Sequence, residues 1–304
     1  MLDHTNLRTN RVQANGLTFS YIELGSGPLV LALHGFPDTP YTFHYQMRAL
    51  AQAGYRVVAP YMRGYFPTDA PPNASYELAA LTQDALALIE TLSDQPVILI
   101  GHDWGAAAAY GAALVAPEKI AKLITLAVPY TEAWWHALST NPAQQRRSWY
   151  MFFFQLPWAE HAVAYNDFTF IERLWQDWSP GWAYPPEAIG AIKEILRQPA
   201  SLTAALNYYR HSFFPTQSDP ALQAIRERSG APITVSTLYF HGEQDRSVGG
   251  ETTEGMEKWF PNSLAKHLLS GAGHFIHQEQ PEAVNRLILE FLQPKLDGQM
   301  SERA

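Results

Sequence analysis

Val97-Ile98-Leu99-Ile100-Gly101-His102-Asp103-Trp104-Gly105-Ala106-Ala107-Ala108-Ala109 is the stretch that decides how this chain is read. A continuous apolar run, Val97 to Ile100, leads into the Gly101–Gly105 pentapeptide, and an Ala-rich run, Ala106 to Leu114, leaves it. The pattern is strand, sharp turn, helix. Two glycines with three residues between them have the spacing of a nucleophile elbow, in which a strained turn lifts one side chain above the end of a sheet. Here the lifted residue is Asp103, not serine. A serine needs a base to take its proton, whereas a carboxylate is already ionised at pH 7 and can attack carbon directly. Such an attack makes an alkyl ester. That points away from esterase, lipase and peptidase chemistry and towards opening a strained ring or expelling a halide.

Outward from this turn, apolar or β-branched runs at Leu29–Leu33, Tyr55–Ala59, Val97–Ile100, Leu123–Val128, Thr234–Phe240 and Lys266–Leu269 predict buried strands. Helical spacing at Tyr41–Ala53, Leu78–Leu92, Ala106–Val115 and Ala283–Leu292 lies between most of them. This alternation predicts an α/β fold with a mostly parallel sheet covered on both faces. Asn15-Gly16, inside Val12–Ile22, predicts a tight hairpin at the start of the sheet.

The alternation stops between about Thr131 and Thr216, where the pattern is helical, broken by prolines and rich in rings. Seven of the nine tryptophans fall there: Trp134, Trp135, Trp149, Trp158, Trp175, Trp178 and Trp182. Most of these rings are expected to form the insertion's own core, and a minority to wall a dry pocket over the carboxyl ends of the sheet. The expected organisation is a core of residues 1–130 and 217–304 with a helical cap at 131–216.

Composition bounds the rest. The chain has 304 residues, 47% hydrophobic and 16% charged, as in ordinary globular enzymes. A net charge of -8 without long charged runs argues against a nucleic-acid partner. No cysteine is present, so thiolate chemistry and disulfides are excluded, and a cytoplasmic location is expected. Met1–Asn10 lacks the apolar core of a signal peptide, and no apolar run is long enough to span a membrane. Oligomeric state is left open between monomer and dimer.

Every candidate catalytic group follows a predicted strand: His34-Gly35-Phe36-Pro37-Asp38, then Asp103, then Asp245, then His274 in Ser270-Gly271-Ala272-Gly273-His274. The order nucleophile, acid, histidine is that of α/β-hydrolases. His277 has no comparable setting and is read as a surface or supporting residue.

On these motifs the chain resembles the epoxide hydrolases of the α/β-hydrolase fold over essentially its whole length. His34-Gly35-Phe36-Pro37 matches that family's oxyanion loop, with a cis peptide before Pro37. The resemblance implies that the backbone N–H groups of Phe36 and Trp104 face the Asp103 carbonyl oxygen. It also implies two ring-opening tyrosines, Tyr150 and Tyr209, the latter preferred to Tyr208 because Asn207 and Arg210 flank it. A phenol keeps its proton at neutral pH and can donate it to the oxygen of an opening epoxide.

The implied reaction is attack of Asp103 on a ring carbon of a small hydrophobic epoxide, followed by hydrolysis of the ester by water that His274, oriented by Asp245, activates. Glu132 is the alternative acid. No metal and no cofactor are implied, since no HExxH-type spacing occurs. Haloalkane dehalogenases share the aspartate and Trp104 and take a second halide donor from the Phe36 position or from a cap tryptophan; Phe36 supplies none and the seven cap tryptophans keep this alternative open, but a halide leaves without needing paired tyrosines. Fluoroacetate dehalogenases place an arginine where Trp104 stands. A non-catalytic receptor on the same fold would commonly lack one member of the set.

Overall fold

The computed structural model describes residues 7–214 and 220–293. In chain order the elements are β1 (Arg8–Ala14), β2 (Leu17–Gly25), β3 (Leu29–Leu33), α1 (His44–Gln52), β4 (Arg56–Pro60), α2 (Leu78–Leu92), β5 (Val97–His102), α3 (Trp104–Val115) and β6 (Ile120–Leu126). Six helices follow: α4 (Thr131–Thr140), α5 (Pro142–Arg147), α6 (Trp149–Phe153), α7 (Ala159–Trp178), α8 (Pro186–Leu196) and α9 (Ser201–Phe213). The chain then makes α10 (Gln223–Arg226), β7 (Thr237–Gly242), β8 (Leu264–Leu269), α11 (Ile276–Glu279) and α12 (Pro281–Leu292).

The eight strands form one sheet in the order β1-β2-β4-β3-β5-β6-β7-β8. β1/β2 and β2/β4 are antiparallel, and every pair from β3/β4 to β7/β8 is parallel. The predicted hairpin is present: Ala14 pairs with Leu17 across Asn15 (φ 47°) and Gly16 (φ 73°), the doubly left-handed turn that matches strand twist. β3 and β5 are buried along their whole length, as central parallel strands covered on both faces must be.

Element ends differ from the sequence reading for local reasons. β6 starts earlier and stops at Leu126 because Ala127 turns left-handed (φ 68°). The helix expected from Tyr41 opens with a separate turn at Pro40–Phe43, where the Thr39 hydroxyl accepts the Tyr41 N–H, and α1 proper begins at His44. The strand expected at Thr234–Phe240 lies later, at Thr237–Gly242.

Between β6 and β7 the described residues form only helix and loop. Trp175 and Trp178 are fully buried there, whereas Trp149 and Trp158 are 45% and 52% exposed, so these rings are only partly a core. The expected boundary at 216/217 lies outside the described residues. No helix among the described residues is long and apolar enough to cross a membrane.

Candidate active site

β5 delivers the chain to Asp103, which adopts φ 52° and ψ -119°, a conformation that costs a non-glycine residue of order 1–3 kcal/mol. The flanking glycines are needed for space. A Cβ on Gly101 would lie 2.3 Å from the Gly105 carbonyl oxygen, and one on Gly105 would lie 1.9 Å from that of Leu33. The close approach of α3 to β3 and β5 thus fixes both positions. α3 begins immediately behind Asp103, whose carbonyl oxygen accepts the N–H groups of Ala106 (2.9 Å) and Ala107 (3.2 Å). The positive end of the helix therefore faces the buried carboxylate.

The two carboxylate oxygens have different surroundings. Oδ1 accepts the Phe36 N–H at 2.8 Å. Gly35 makes room for it, because a Cβ there would sit 2.3 Å from Oδ1. Trp104 is the first residue of α3, where a helix leaves its amides without intrahelical partners. His34 braces the same loop from below: Nε2 accepts the Met62 N–H at 3.0 Å, so the proton is on Nδ1 and is donated to the Gly35 carbonyl at 2.9 Å. Burial lowers the His34 pKa to about 4, which keeps the ring neutral. The Phe36-Pro37 peptide is cis, and the Pro37 carbonyl accepts the Trp175 indole N–H at 3.0 Å.

Oδ2 of Asp103 faces His274, whose Nε2 is 3.6 Å away and has no hydrogen-bond partner. On the other side of that ring, Nδ1 is 2.9 Å from Asp245 Oδ2. Asp245 is itself locked, with Oδ1 accepting the N–H groups of Ser247 (2.7 Å) and Val248 (2.8 Å). Burial opposes charge on His274, but the negative charges of Asp245 and Asp103, with the hydrogen bond to Asp245, outweigh it and raise the pKa to about 10. The imidazole is therefore held protonated between two carboxylates.

Both loops are tied to the end of α7, a connection invisible in the local sequence. The Trp178 carbonyl accepts the Arg246 and His274 N–H groups, each at 3.2 Å. Ser179 Oγ accepts the N–H groups of His274 (2.9 Å) and Phe275 (3.3 Å) and donates to Glu279 Oε1 at 2.7 Å. A Cβ on Gly273 would lie 2.5 Å from Ser179 Cα, so only glycine lets the strand β8 loop come this close.

Asp103, Trp104, Tyr150 and Tyr209 line one cavity of about 330 Å³, with Trp134 and Trp135 of α4 in its wall. The Tyr150 and Tyr209 rings meet edge to face at 5.6 Å. The Tyr150 hydroxyl is 3.2 Å from Ser247 Oγ, whereas the Tyr209 hydroxyl is buried with no hydrogen-bond partner. Burial raises both phenol pKa values, reinforced by the Asp103 charge at Tyr150 and by Tyr150 and then Asp103 at Tyr209, so both keep their protons. Tyr208 points elsewhere: its hydroxyl donates to the Arg63 carbonyl at 2.9 Å and it is absent from the cavity wall. Glu132 faces Ser229 (3.4 Å), and the acid beside His274 is Asp245.

His277 is not at the surface. It is fully buried, with Nε2 2.6 Å from Thr42 Oγ1 and its ring 4.6 Å from that of His102, because α11 packs inward. His102 places Nε2 3.0 Å from the His274 carbonyl, and burial above all lowers its pKa to about 3. Asp38 completes this buried layer, and burial raises its pKa to about 7 against hydrogen bonds from Thr42 and Thr39. Among the described residues, Asp38, His102 and His277 are those with spacing that could hold an ion, with ligand atoms all within 4.8 Å. Asp38 and His102 belong to the oxyanion-loop and elbow motifs, but nothing in the sequence showed that they meet His277.

The alpha/beta hydrolase fold family matches residues 28–281. Human epoxide hydrolase 4 is 34% identical over 291 residues, covering 93% of this chain and 77% of that protein. The chain belongs to the α/β-hydrolase-fold epoxide hydrolases. The AB hydrolase superfamily protein YfhM of Bacillus subtilis is also 34% identical, covering 92% of this chain and 96% of that protein. Among solved structures, a point variant of Bacillus megaterium epoxide hydrolase complexed with its product, (R)-3-[1]naphthyloxy-propane-1,2-diol, is similar with a TM-score of 0.81. It is 29% identical, covering 93% of this chain and 99% of that one. For this family member the elbow aspartate, the histidine and two cavity tyrosines are the groups whose geometry asks for a mechanism.

Proposed function

We propose that this enzyme hydrolyses an epoxide to a vicinal diol through a covalent ester on Asp103. The observation that carries the reading is that Asp103, Tyr150 and Tyr209 share one cavity while His274 stands behind the carboxylate. Oδ2, the oxygen not engaged by Phe36, attacks a ring carbon and the C–O bond of the ring breaks. The departing oxygen takes hydrogen bonds from the Tyr150 and Tyr209 phenols, one of which gives up its proton. Each has been held protonated by burial until an alkoxide forms nearby.

Alkylation changes the electrostatics of the next step. The ester is neutral, so one of the two charges that hold His274 protonated disappears, and its pKa falls towards a value at which it can accept a proton. His274 gives up the proton it held, which by way of solvent restores the tyrosinate left by ring opening; its neutral Nε2 then takes a proton from water, the resulting hydroxide attacks Cγ of Asp103, and charge develops on Oδ1, which the Phe36 N–H already holds. Collapse breaks the Cγ–Oδ2 bond, the departing alkoxide takes a proton from His274 to leave as the diol, and the Asp103 carboxyl passes its own proton to His274, which restores the resting pair. Asp245 stabilises the imidazolium that results. In this reading the helices between β6 and β7 are a cap over residues 131–216, and residues 1–130 and 217–304 are the core. The substrate class is a small hydrophobic epoxide, with water as co-substrate.

One turnover of styrene oxide in heavy-oxygen water tests this directly. The first diol should carry no label and Asp103 should carry it, because the oxygen added to the ring comes from the carboxylate. His274→Gln should accumulate an adduct heavier by one epoxide. A labelled first diol with no adduct would show direct attack of water; no diol from styrene oxide, together with halide release from a haloalkane offered in its place, would make the enzyme a dehalogenase.

A further inference from the structure

The two cavity phenols hang from different parts of the core. α9, which carries Tyr209, is tied to the chain between β4 and α2: the Tyr208 hydroxyl donates to the Arg63 carbonyl at 2.9 Å, Ser201 Oγ accepts the Phe66 N–H at 3.2 Å, and His211 Nδ1 accepts the Tyr76 N–H at 3.0 Å. Tyr150, on α6, is tied to the loop of Asp245 instead. Its hydroxyl pairs with Ser247 Oγ, and Gln144 of α5 donates to the Ser247 carbonyl at 2.8 Å and accepts the Gly249 N–H at 2.9 Å. Two phenols can serve one ring oxygen only if each stands within about 2.5–3.0 Å of it, so the offset between α6 and α9 has to be held closely. Each attachment fixes its own helix, and the slack of both adds in the offset between them.

Arg210 joins the two helices. It follows Tyr209 on α9, and neighbours on a helix point about 100° apart, so the guanidinium leaves towards the α6–α7 connection while the phenol enters the cavity. Nε donates to the Phe154 carbonyl at 2.9 Å, and the Phe154 N–H in turn donates to the Tyr150 carbonyl at 2.9 Å. A chain of hydrogen bonds thus runs from the Arg210 side chain to the Tyr150 backbone. Nη1 and Nη2 meet Glu160 Oε1 (2.6 Å) and Oε2 (2.8 Å) side by side, Nη1 also reaches Asn207 Oδ1 at 3.3 Å, and Nη2 reaches the Leu156 carbonyl at 3.5 Å. Glu160 lies in the first turn of α7, and the Arg210 hydrogen bonds hold its carboxyl below the usual range, so it stays charged. A partly exposed ion pair contributes little stability by itself, but a planar fork that uses several donors at once fixes direction. Phe154 is fully buried, its ring 5.2 Å from that of Tyr209 and 5.8 Å from that of Tyr150, both edge to face. The guanidinium therefore grips the residue whose ring touches both tyrosines.

Resting on the proposed epoxide hydrolysis, we propose that Arg210 is a positioning residue for ring opening: by clamping α9 to the end of α6 it sets the spacing of the Tyr150 and Tyr209 phenols about the departing oxygen. It touches no reacting atom. The clamp serves alkylation, which needs both phenols, and not hydrolysis of the ester, which uses His274 and Asp245.

Single-turnover stopped-flow fluorescence with styrene oxide separates the two steps. Arg210→Met, which keeps the apolar stem, should slow alkylation about ten- to hundredfold, the cost of misplacing a group by up to about 1 Å, and leave ester hydrolysis within about twofold of the parent. Glu160→Gln keeps the bond to the Phe154 carbonyl and loses the charge pair, so it should slow alkylation by about two- to tenfold, and it carries the test should Arg210→Met not fold. In a Tyr209→Phe background Arg210→Met should slow alkylation by no more than about threefold further, because a spacing matters only while both phenols are present. An arginine that merely stabilised the fold would slow both steps alike and cost as much with the Tyr209 hydroxyl removed as with it present. Either of those results, or parent-like alkylation in Arg210→Met, or in Glu160→Gln where that alone folds, would overturn the inference. A parent enzyme that forms no alkyl-enzyme from styrene oxide would instead overturn the hydrolysis on which the inference rests.

Discussion

Tyr150 and Tyr209 are chemically alike and line one cavity, yet their replacement by phenylalanine should affect stability unequally. Tyr209 lines the cavity that receives substrate and water, so Tyr209→Phe should change stability by no more than about 0.5 kcal/mol. The Tyr150 hydroxyl is paired with Ser247 Oγ, so Tyr150→Phe loses a bond worth about 0.5–1.5 kcal/mol net. At about 2.1 cal/mol/K per residue, a chain of 304 residues has an unfolding entropy of about 0.64 kcal/mol/K. Tyr150→Phe should therefore lower Tm by about 1–2 °C and Tyr209→Phe should leave it within about 1 °C of the parent. Both should slow ester formation by about 100- to 10,000-fold, because each removes a donor from the opening ring. Calorimetry gives the two Tm values, and stopped-flow tryptophan fluorescence in a single turnover gives the alkylation rate. A Tyr209→Phe protein that alkylates at the parent rate would refute the placement of its phenol at the reacting oxygen. Tyr208→Phe should barely change alkylation, since its hydroxyl is spent on the Arg63 carbonyl.

Other outcomes follow from the same geometry. Gly35→Ala should fold but lose at least about a hundredfold in ester formation, because its Cβ would overlap the Asp103 carboxyl and force the loop outward by a cost of about 1–3 kcal/mol; a parent-like single-turnover rate would contradict the contact. In the free enzyme His274 stays protonated up to about pH 10, so kcat/KM should be flat through neutrality, while the ester hydrolysis rate should climb over a lower pH range set by the alkylated enzyme; identical profiles for both steps would count against the charge-switch argument. Buried neutral His34, His102 and His277 have lowered pKa values, so the unfolded chain binds protons first as pH falls below about 6.5. Stability should drop by about 1.4 kcal/mol per pH unit for each of them, down to about pH 4 for His34, partly offset by the raised Asp38. Urea titrations from pH 7 to 4 measure that slope, and a rise in stability on acidification would be incompatible with it.

Much of the site was legible in the chain because its parts lie next to secondary-structure signals. The run from Val97 to Ala109 encodes strand, left-handed turn and helix through residue size alone: Gly101 and Gly105 are the only side chains that fit against the backbone of β3 and α3. The positions of His34, Asp103, Asp245 and His274 after successive parallel strands likewise follow from the β–α alternation, since parallel strands share their carboxyl ends. Local pattern also gave the Asn15-Gly16 turn, whose positive φ values few other residue pairs accept.

Contacts between distant segments carry no such local trace, and the tertiary structure decided them. His277 lacked any motif and could be placed only by the packing of α11 against Thr42, 235 residues away. The hold of Trp178 and Ser179 on the loops of Asp245 and His274 rests on backbone carbonyl and hydroxyl groups that almost any sequence could supply, so only chain trajectory reveals it. The choice between Tyr208 and Tyr209 is of the same kind. Neighbours on a helix point about 100° apart, and which of the two enters the cavity depends on how α9 is rotated against α3, a quantity set by the packing of the whole molecule and not by either residue.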